Sequence, residues 1–170
     1  MQLHLAVLAL ATALALISLG GGFYEFLVVD PFWPRRPDLI QPDRGGISRR
    51  RFWIPAHVTF ELLLIGSLVA NWSHDAVRTP LLVALGSHAA MRIWSGLDFI
   101  PKALAFERAD PATITEAAAR HWTRRSPLRA LLDVVTCGAM MTALMSAARL
   151  SYGFGCASRT SAGAGMRAPL

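Results

Sequence analysis

Four apolar runs constrain this chain more than anything else in its sequence: Leu3 to Val29, Phe52 to Ala70, Pro80 to Ile100 and Leu128 to Ala148. A hydrocarbon core about 30 Å thick takes roughly 20 residues of helix at 1.5 Å per residue, and each run meets that length. Inside lipid every backbone polar group must find a partner within its own segment, so runs of this kind predict helices. Composition points the same way: 54% of the residues are hydrophobic and 16% charged, against about 25% charged in a soluble domain. The expected class is all-α, a polytopic membrane protein built as an antiparallel four-helix transmembrane bundle over residues 1–150. The Gly-, Ala- and Ser-rich stretch 151–170 is expected to be a disordered tail.

The ends of the runs carry their own signals. The first would reach about 40 Å as a straight helix, so it is expected to tilt or to break at Gly20, Gly21 and Gly22. No Lys or Arg precedes it, which argues for a retained span over a cleaved signal peptide. Trp53 and Trp72 bracket the second run as interfacial aromatics. Pro80 and Pro101 are expected to start and stop the third, and Pro127 to open the fourth. Between spans one and two, Pro31, Pro34, Pro37 and Pro42 predict an extended strap. Between spans three and four, Asp110-Pro111 predicts the start of a short helix. Ile114, Ala118, His121 and Trp122 would make it amphipathic and lay it on the membrane surface.

The chain carries 17 Lys+Arg against 11 Asp+Glu, which would ordinarily raise nucleic acid as a partner. The positions of the charges argue otherwise. Loop 30–51 holds Arg35, Arg36, Arg44, Arg49, Arg50 and Arg51, and loop 101–127 holds Lys102, Arg108, Arg120, Arg124 and Arg125. The other side has Arg78, Arg149, Arg159 and Arg167. The positive-inside rule puts both rich loops in the cytoplasm and both termini outside, in a multi-pass protein of the cell membrane. The basic excess is therefore a topology signal with some attraction to anionic membrane lipids, and no nucleic-acid partner is expected. Cys137 and Cys156 are too few for a disulfide framework.

Ionisable residues inside spans cost about 2.5 to 3.5 kcal/mol each near the helix centre, so those present call for a partner or a task. Counted from the cytoplasmic ends, Glu25, His57, Asp133, Arg92 and Glu61 fall at depths of about 7 to 13 Å, with His88 at about 18 Å. His57 with Glu61 and His88 with Arg92 are each spaced i, i+4, so each pair shares a helix face. Glu61 and Arg92 match in depth and predict an interhelical ion pair. The remaining carboxylates and histidines leave two chemistries open. One is a transition-metal site using His57, Glu61 and His88, with Glu25 as a further donor. The other is metal-free acid/base chemistry in which His57 is the base and Glu25 or Glu61 orients it or acts as acid. Asp133 near the start of its span has a simpler reading, complementing the helix dipole.

Gly20-Gly21-Gly22-Phe23-Tyr24-Glu25, then Pro31-Phe32-Trp33, then His57 and Glu61, resemble the small four-helix membrane proteins related to anthrone oxygenases, over residues 19 to 95. The long Arg- and Pro-rich strap departs from that pattern. The resemblance implies a membrane oxygenase acting on a lipophilic, aromatic or polyketide-like small molecule in a biosynthetic pathway, with dioxygen as the only co-substrate or with a transition metal. It carries over Tyr24, Glu25, His57 and Arg92 as site residues. Arg92 would stabilise an oxyanion or hold a substrate carboxylate. The alternative is a non-catalytic accessory or assembly subunit whose buried charges fix helix packing, and a homo-oligomer is open under both.

Overall fold

The computed structural model describes the backbone of residues 2–163 and the side chains of residues 3–151. Its described residues are helical with no strand, in the order α1 (Gln2–Tyr24), α2 (Arg50–Ala70), α3 (Asp75–Trp94), α4 (Ile100–Arg108) and α5 (Glu116–Gly163). Three helical stretches are long and apolar enough to cross a membrane: Leu3–Val29, Arg50–Ala70 and Glu116–Ser151. α3 is 20 residues long but is not among them. Its hydropathy is lowered by Asp75, Arg78, Ser87, His88 and Arg92.

α1 is apolar on every side, as suits a helix with lipid on most of its surface. Leu10, Ile17, Ile54, Leu62, Val69 and Leu131 all point outward from α1, α2 and α5. Inward, one core joins four helices. Leu8, Ala11 and Ala15 of α1 meet Phe60, Leu64 and Leu68 of α2, Val77, Leu81 and Ala84 of α3, and Cys137, Met140 and Ala143 of α5. The small residues of α1 and α5 let the helices approach closely, which is how helices pack where water supplies no driving force.

Several boundaries differ from expectation. The first helix does not break at its glycines; it passes into a π-helical turn, Glu25–Val29, closed by Asp30 N–H donating to the Glu25 carbonyl at 2.8 Å. α3 begins at Asp75, five residues before Pro80, and is followed by a second π-helical turn, Ser95–Phe99. Pro101 does not stop a helix but sits in the first turn of α4, where its missing N–H costs nothing. Pro127 likewise falls inside α5, which runs unbroken from Glu116. The segment expected to lie on the membrane surface is therefore collinear with the fourth apolar run. At about 54 Å, Glu116–Ser151 outruns the hydrocarbon core, so one end must project from it. Residues 151–163 of the expected tail continue α5 as helix, and 164–170 lie outside the described residues.

The largest departure is the first loop. It is not an extended strap but a chain of 3₁₀ turns, Trp33–Arg35, Pro37–Ile40 and Pro42–Arg44, each opened by a proline at its first or second position. Those turns bury Trp33 and Ile40 against Phe99, Ala119 and Trp122, forming a second core with Phe106 and Ile114 at its edge. Gln41, 1% exposed, donates through Nε2 to the carbonyls of Phe106 and Ala109 at 2.8 Å each, satisfying acceptors left open at the end of α4. Arg35 and Glu116 close the rim at 3.1 Å. Loop one, α4 and the start of α5 thus form a folded cap over one end of the four-helix core.

Candidate functional site

Between cap and bundle lies a cavity of about 560 Å³, within the size range of sites for small organic ligands. Its walls come from both halves of the molecule. The π-helical turn after α1 supplies Glu25 and Phe26, and α2 supplies Trp53 and His57. The end of α3 and its π-helical turn supply Arg92, Ser95 and Phe99, α4 supplies Glu107, and α5 supplies Trp122, Arg129 and Asp133. The two π-helical turns help place this set. An extra residue in a helical turn rotates the side chains beyond it, which is why such turns are common at functional sites.

His57 is set by its neighbours. Its ring stacks on Trp53, with centroids 5.3 Å apart and planes 19° apart, and lies 5.6 Å from the His88 ring. Its Nδ1 is buried with no hydrogen-bond partner among the described residues. A water-sized void of about 10 Å³ adjoins it, lined by Ser18, His57, His88, Asp133 and Thr136. The Ser18 hydroxyl is also buried without a partner. A void of this size and polarity suits one bound water.

The expected ion pair is present: Arg92 Nε donates to Glu61 Oε1 at 2.9 Å, and His88 Nε2 lies 3.2 Å from the same oxygen. Glu61 is held on the far side of this pair and does not line the cavity. Tyr24 is 60% exposed and also stands outside it. The structure therefore brings His57, Glu25 and Arg92 to one cavity, and leaves Glu61 and His88 behind it as supports and Tyr24 on the surface. The metal site expected of His57, Glu61 and His88 is not assembled. Among the described residues no group of three or more His, Cys, Asp or Glu converges on one point, because Glu61 and His88 pair with each other while His57 packs flat on Trp53.

Sequence reasoning missed three charged wall residues. Arg49 appears in the sequence as one of six loop arginines, yet its side chain is 9% exposed, with Glu25 at 3.6 Å and Glu107 at 3.9 Å. Glu107, 5% exposed at its side chain, also pairs with Arg50 at 3.1 Å. Arg129 donates to the hydroxyls of Ser126 at 2.9 Å and Ser95 at 3.2 Å, and its guanidinium lies 4.0 Å from the centroid of the Phe99 ring. The available signal was Arg129 and Asp133, spaced i, i+4 at the start of an apolar run. Outside the spans, Asp30 accepts from Trp33 Nε1 at 3.0 Å, and burial, reinforced by Glu25, pushes its carboxyl up to about 6.

Compared with protein-family models, curated proteins and solved structures, the chain matches none.

Proposed function

We propose that this chain is a membrane oxygenase for a lipophilic aromatic small molecule, folded as a four-span antiparallel bundle whose cytoplasmic end carries the cap. The observation that carries the reading is the shared cavity: an aromatic-walled chamber with the unpartnered ring nitrogen of His57 beside it and the Arg92 guanidinium on its wall. The basic loops 30–51 and 101–127 both belong to the cap end, which supports a cytoplasmic cap with both termini outside. α3 supplies the remaining span of the four, with its mid-helix histidine turned to the bundle and not to lipid, His88 being 4% exposed.

In this mechanism His57 removes a proton from a CH₂ flanked by two aromatic rings and activated through them by a conjugated carbonyl, as in an anthrone. Arg92 stabilises the enolate oxygen that forms. The electron-rich enolate is then oxidised by dioxygen, so that CH₂ and O₂ become C=O and H₂O. Trp53 keeps the His57 ring in one orientation. Oxygen uptake by membranes supplied with 1,8-dihydroxyanthrone tests this. His57→Ala should lower the rate by at least about 10²-fold, the scale of a lost general base, with the protein still folded. Unchanged uptake in that variant would remove the assignment.

A non-catalytic role is favoured for one part of the buried charge. Glu61 joins α2 to His88 and Arg92 of α3 without touching the cavity, which is the arrangement of a packing staple.

A further inference from the structure

Two arginines of this site, the exposed Arg108 and the partly buried Arg129, have no ion pair among the described residues, and Arg129 is the one set within the fold. Arg92 has Glu61 at 2.9 Å, Arg50 has Glu107 at 3.1 Å and Arg49 has Glu25 at 3.6 Å. Among the described residues no carboxylate lies within 4.0 Å of Arg129, although Glu25 and, one helical turn on, Asp133 line the same cavity; its direct partners are two serine hydroxyls and the face of Phe99. Its Nε is buried with no acceptor. Arg49, nine-tenths buried and packed over Trp122 at 5.3 Å, has a second orphaned donor in its Nη2. Both guanidiniums line the same 560 Å³ cavity. A buried guanidinium N–H without an acceptor is costly to hold, and an anion that supplies the acceptor offsets that cost.

We infer that the cavity takes a lipophilic molecule bearing a carboxylate head, with Arg129, assisted by Arg49, as the anion-recognition element. The planar fork of donors on arginine suits the two oxygens of a carboxylate. Phe99 and Trp122 under the two guanidiniums, with Trp53 and Phe26 also in the lining, supply surface for an aromatic body. Holding the head at Arg129 would fix the rest of the molecule relative to His57. This inference rests on the cavity being the substrate site proposed above and names the substrate's class.

The test uses the full chain in phosphatidylcholine nanodiscs with two probes, 9-anthracenecarboxylate and its methyl ester. Binding is read by energy transfer from the chain's five tryptophans, two of which line the cavity, to the anthracene ring. The carboxylate should bind at least about tenfold tighter than the ester, the least expected of a charge-assisted hydrogen bond. Arg129→Gln should bring the two within about twofold while ester affinity holds and the melting temperature of the empty protein stays the same or rises. Equal binding of both probes to the unaltered protein, or a preference that survives Arg129→Gln, overturns the inference. If the Gln variant does not fold, Arg129→Lys decides: it keeps the charge and loses the fork, so an unreduced preference overturns the inference as well. Displacement of the carboxylate probe on adding phosphatidylglycerol would mean that the anion is a lipid headgroup, and the substrate assignment falls. The chemistry separates cleanly from the recognition. His57→Ala should keep the carboxylate preference, so lost preference with intact His57-dependent turnover sinks this inference alone. Retained preference with His57-independent turnover sinks the oxygenase reading alone.

Discussion

Glu61 of α2 and Arg92 of α3 meet at 2.9 Å, each with its side chain about one-third exposed; Arg92 lines the cavity while Glu61 stands behind its wall. An ion pair in that position acts first on helix packing. Removing one partner leaves the other charge uncompensated at membrane depth, so Glu61→Ala should lower stability by about 1 to 3 kcal/mol. Thermal unfolding in detergent reads this, and the exchange Glu61→Arg with Arg92→Glu should recover at least half of the loss. Probe affinity in the cavity should change less for Glu61→Ala than for Arg129→Gln; the reverse order would return Glu61 to the site.

Neighbouring glycines should differ sharply. A Cβ on Gly20 meets nothing within 4 Å, whereas one on Gly21 would lie 2.6 Å from Cε1 and 2.8 Å from Cζ of Phe52. Gly20→Ala is expected to be neutral or slightly stabilising. Gly21→Ala should cost about 1 to 3 kcal/mol as Phe52 is driven from its place beside Trp53. Because Trp53 positions His57, the same substitution should weaken oxygen uptake, and melting curves with activity assays on the two variants check both statements.

Asp30 sets a pH dependence for the cap. Its carboxyl is held at about 6 in the folded protein against an ordinary 3.8, so between those values the folded state binds the extra proton. Stability linked to this group is complete below pH 4 and is lost as pH rises through 6, to the extent of about 3 kcal/mol. Asp30→Asn keeps an acceptor for Trp33 and removes the titration. It should melt higher than the unaltered protein at pH 7.5, and the two should converge near pH 4.

Trp33 is the largest fully buried side chain of the cap core, with Phe106 at 5.3 Å and Trp122 at 5.8 Å between ring centroids. Trp33→Ala should cost about 3 to 5 kcal/mol locally, detaching loop 30–49 while the membrane core persists. Limited proteolysis would then cut within that loop, and the carboxylate probe would lose affinity because Arg49 is no longer held. A variant that resists the protease as well as the unaltered protein would show that the cap has another anchor.

The periodic content of the sequence was enough to read helices, and matched depth was enough to read the Glu61 to Arg92 contact. Both depend on interactions a few residues apart or on a register set by lipid thickness. It also placed His57, Glu25 and Arg92 toward one end of the bundle, where the cavity is. Other features were hidden because they depend on contacts between distant segments. Prolines 31, 34, 37 and 42 read as an extended strap, since each is compatible with extended chain. Only the burial of Trp33 and Ile40 against α4 and α5 selects the 3₁₀ turns. Arg49 counted as a loop charge until the cap folded over it, and Tyr24 counted as a site residue until the helix turned it outward.

The sequence by itself therefore determined that the chain is helical and apolar enough to enter a membrane, and which ionisable groups share a helix face, because hydropathy and the 3.6-residue repeat act locally. The tertiary structure alone decided that two π-helical turns and a folded cap line a chamber, and that Arg129 enters it with no carboxylate within 4.0 Å among the described residues. Enclosure and charge compensation are sums over side chains as far apart in sequence as Glu25 and Arg129, and those sums exist only once the chain is folded.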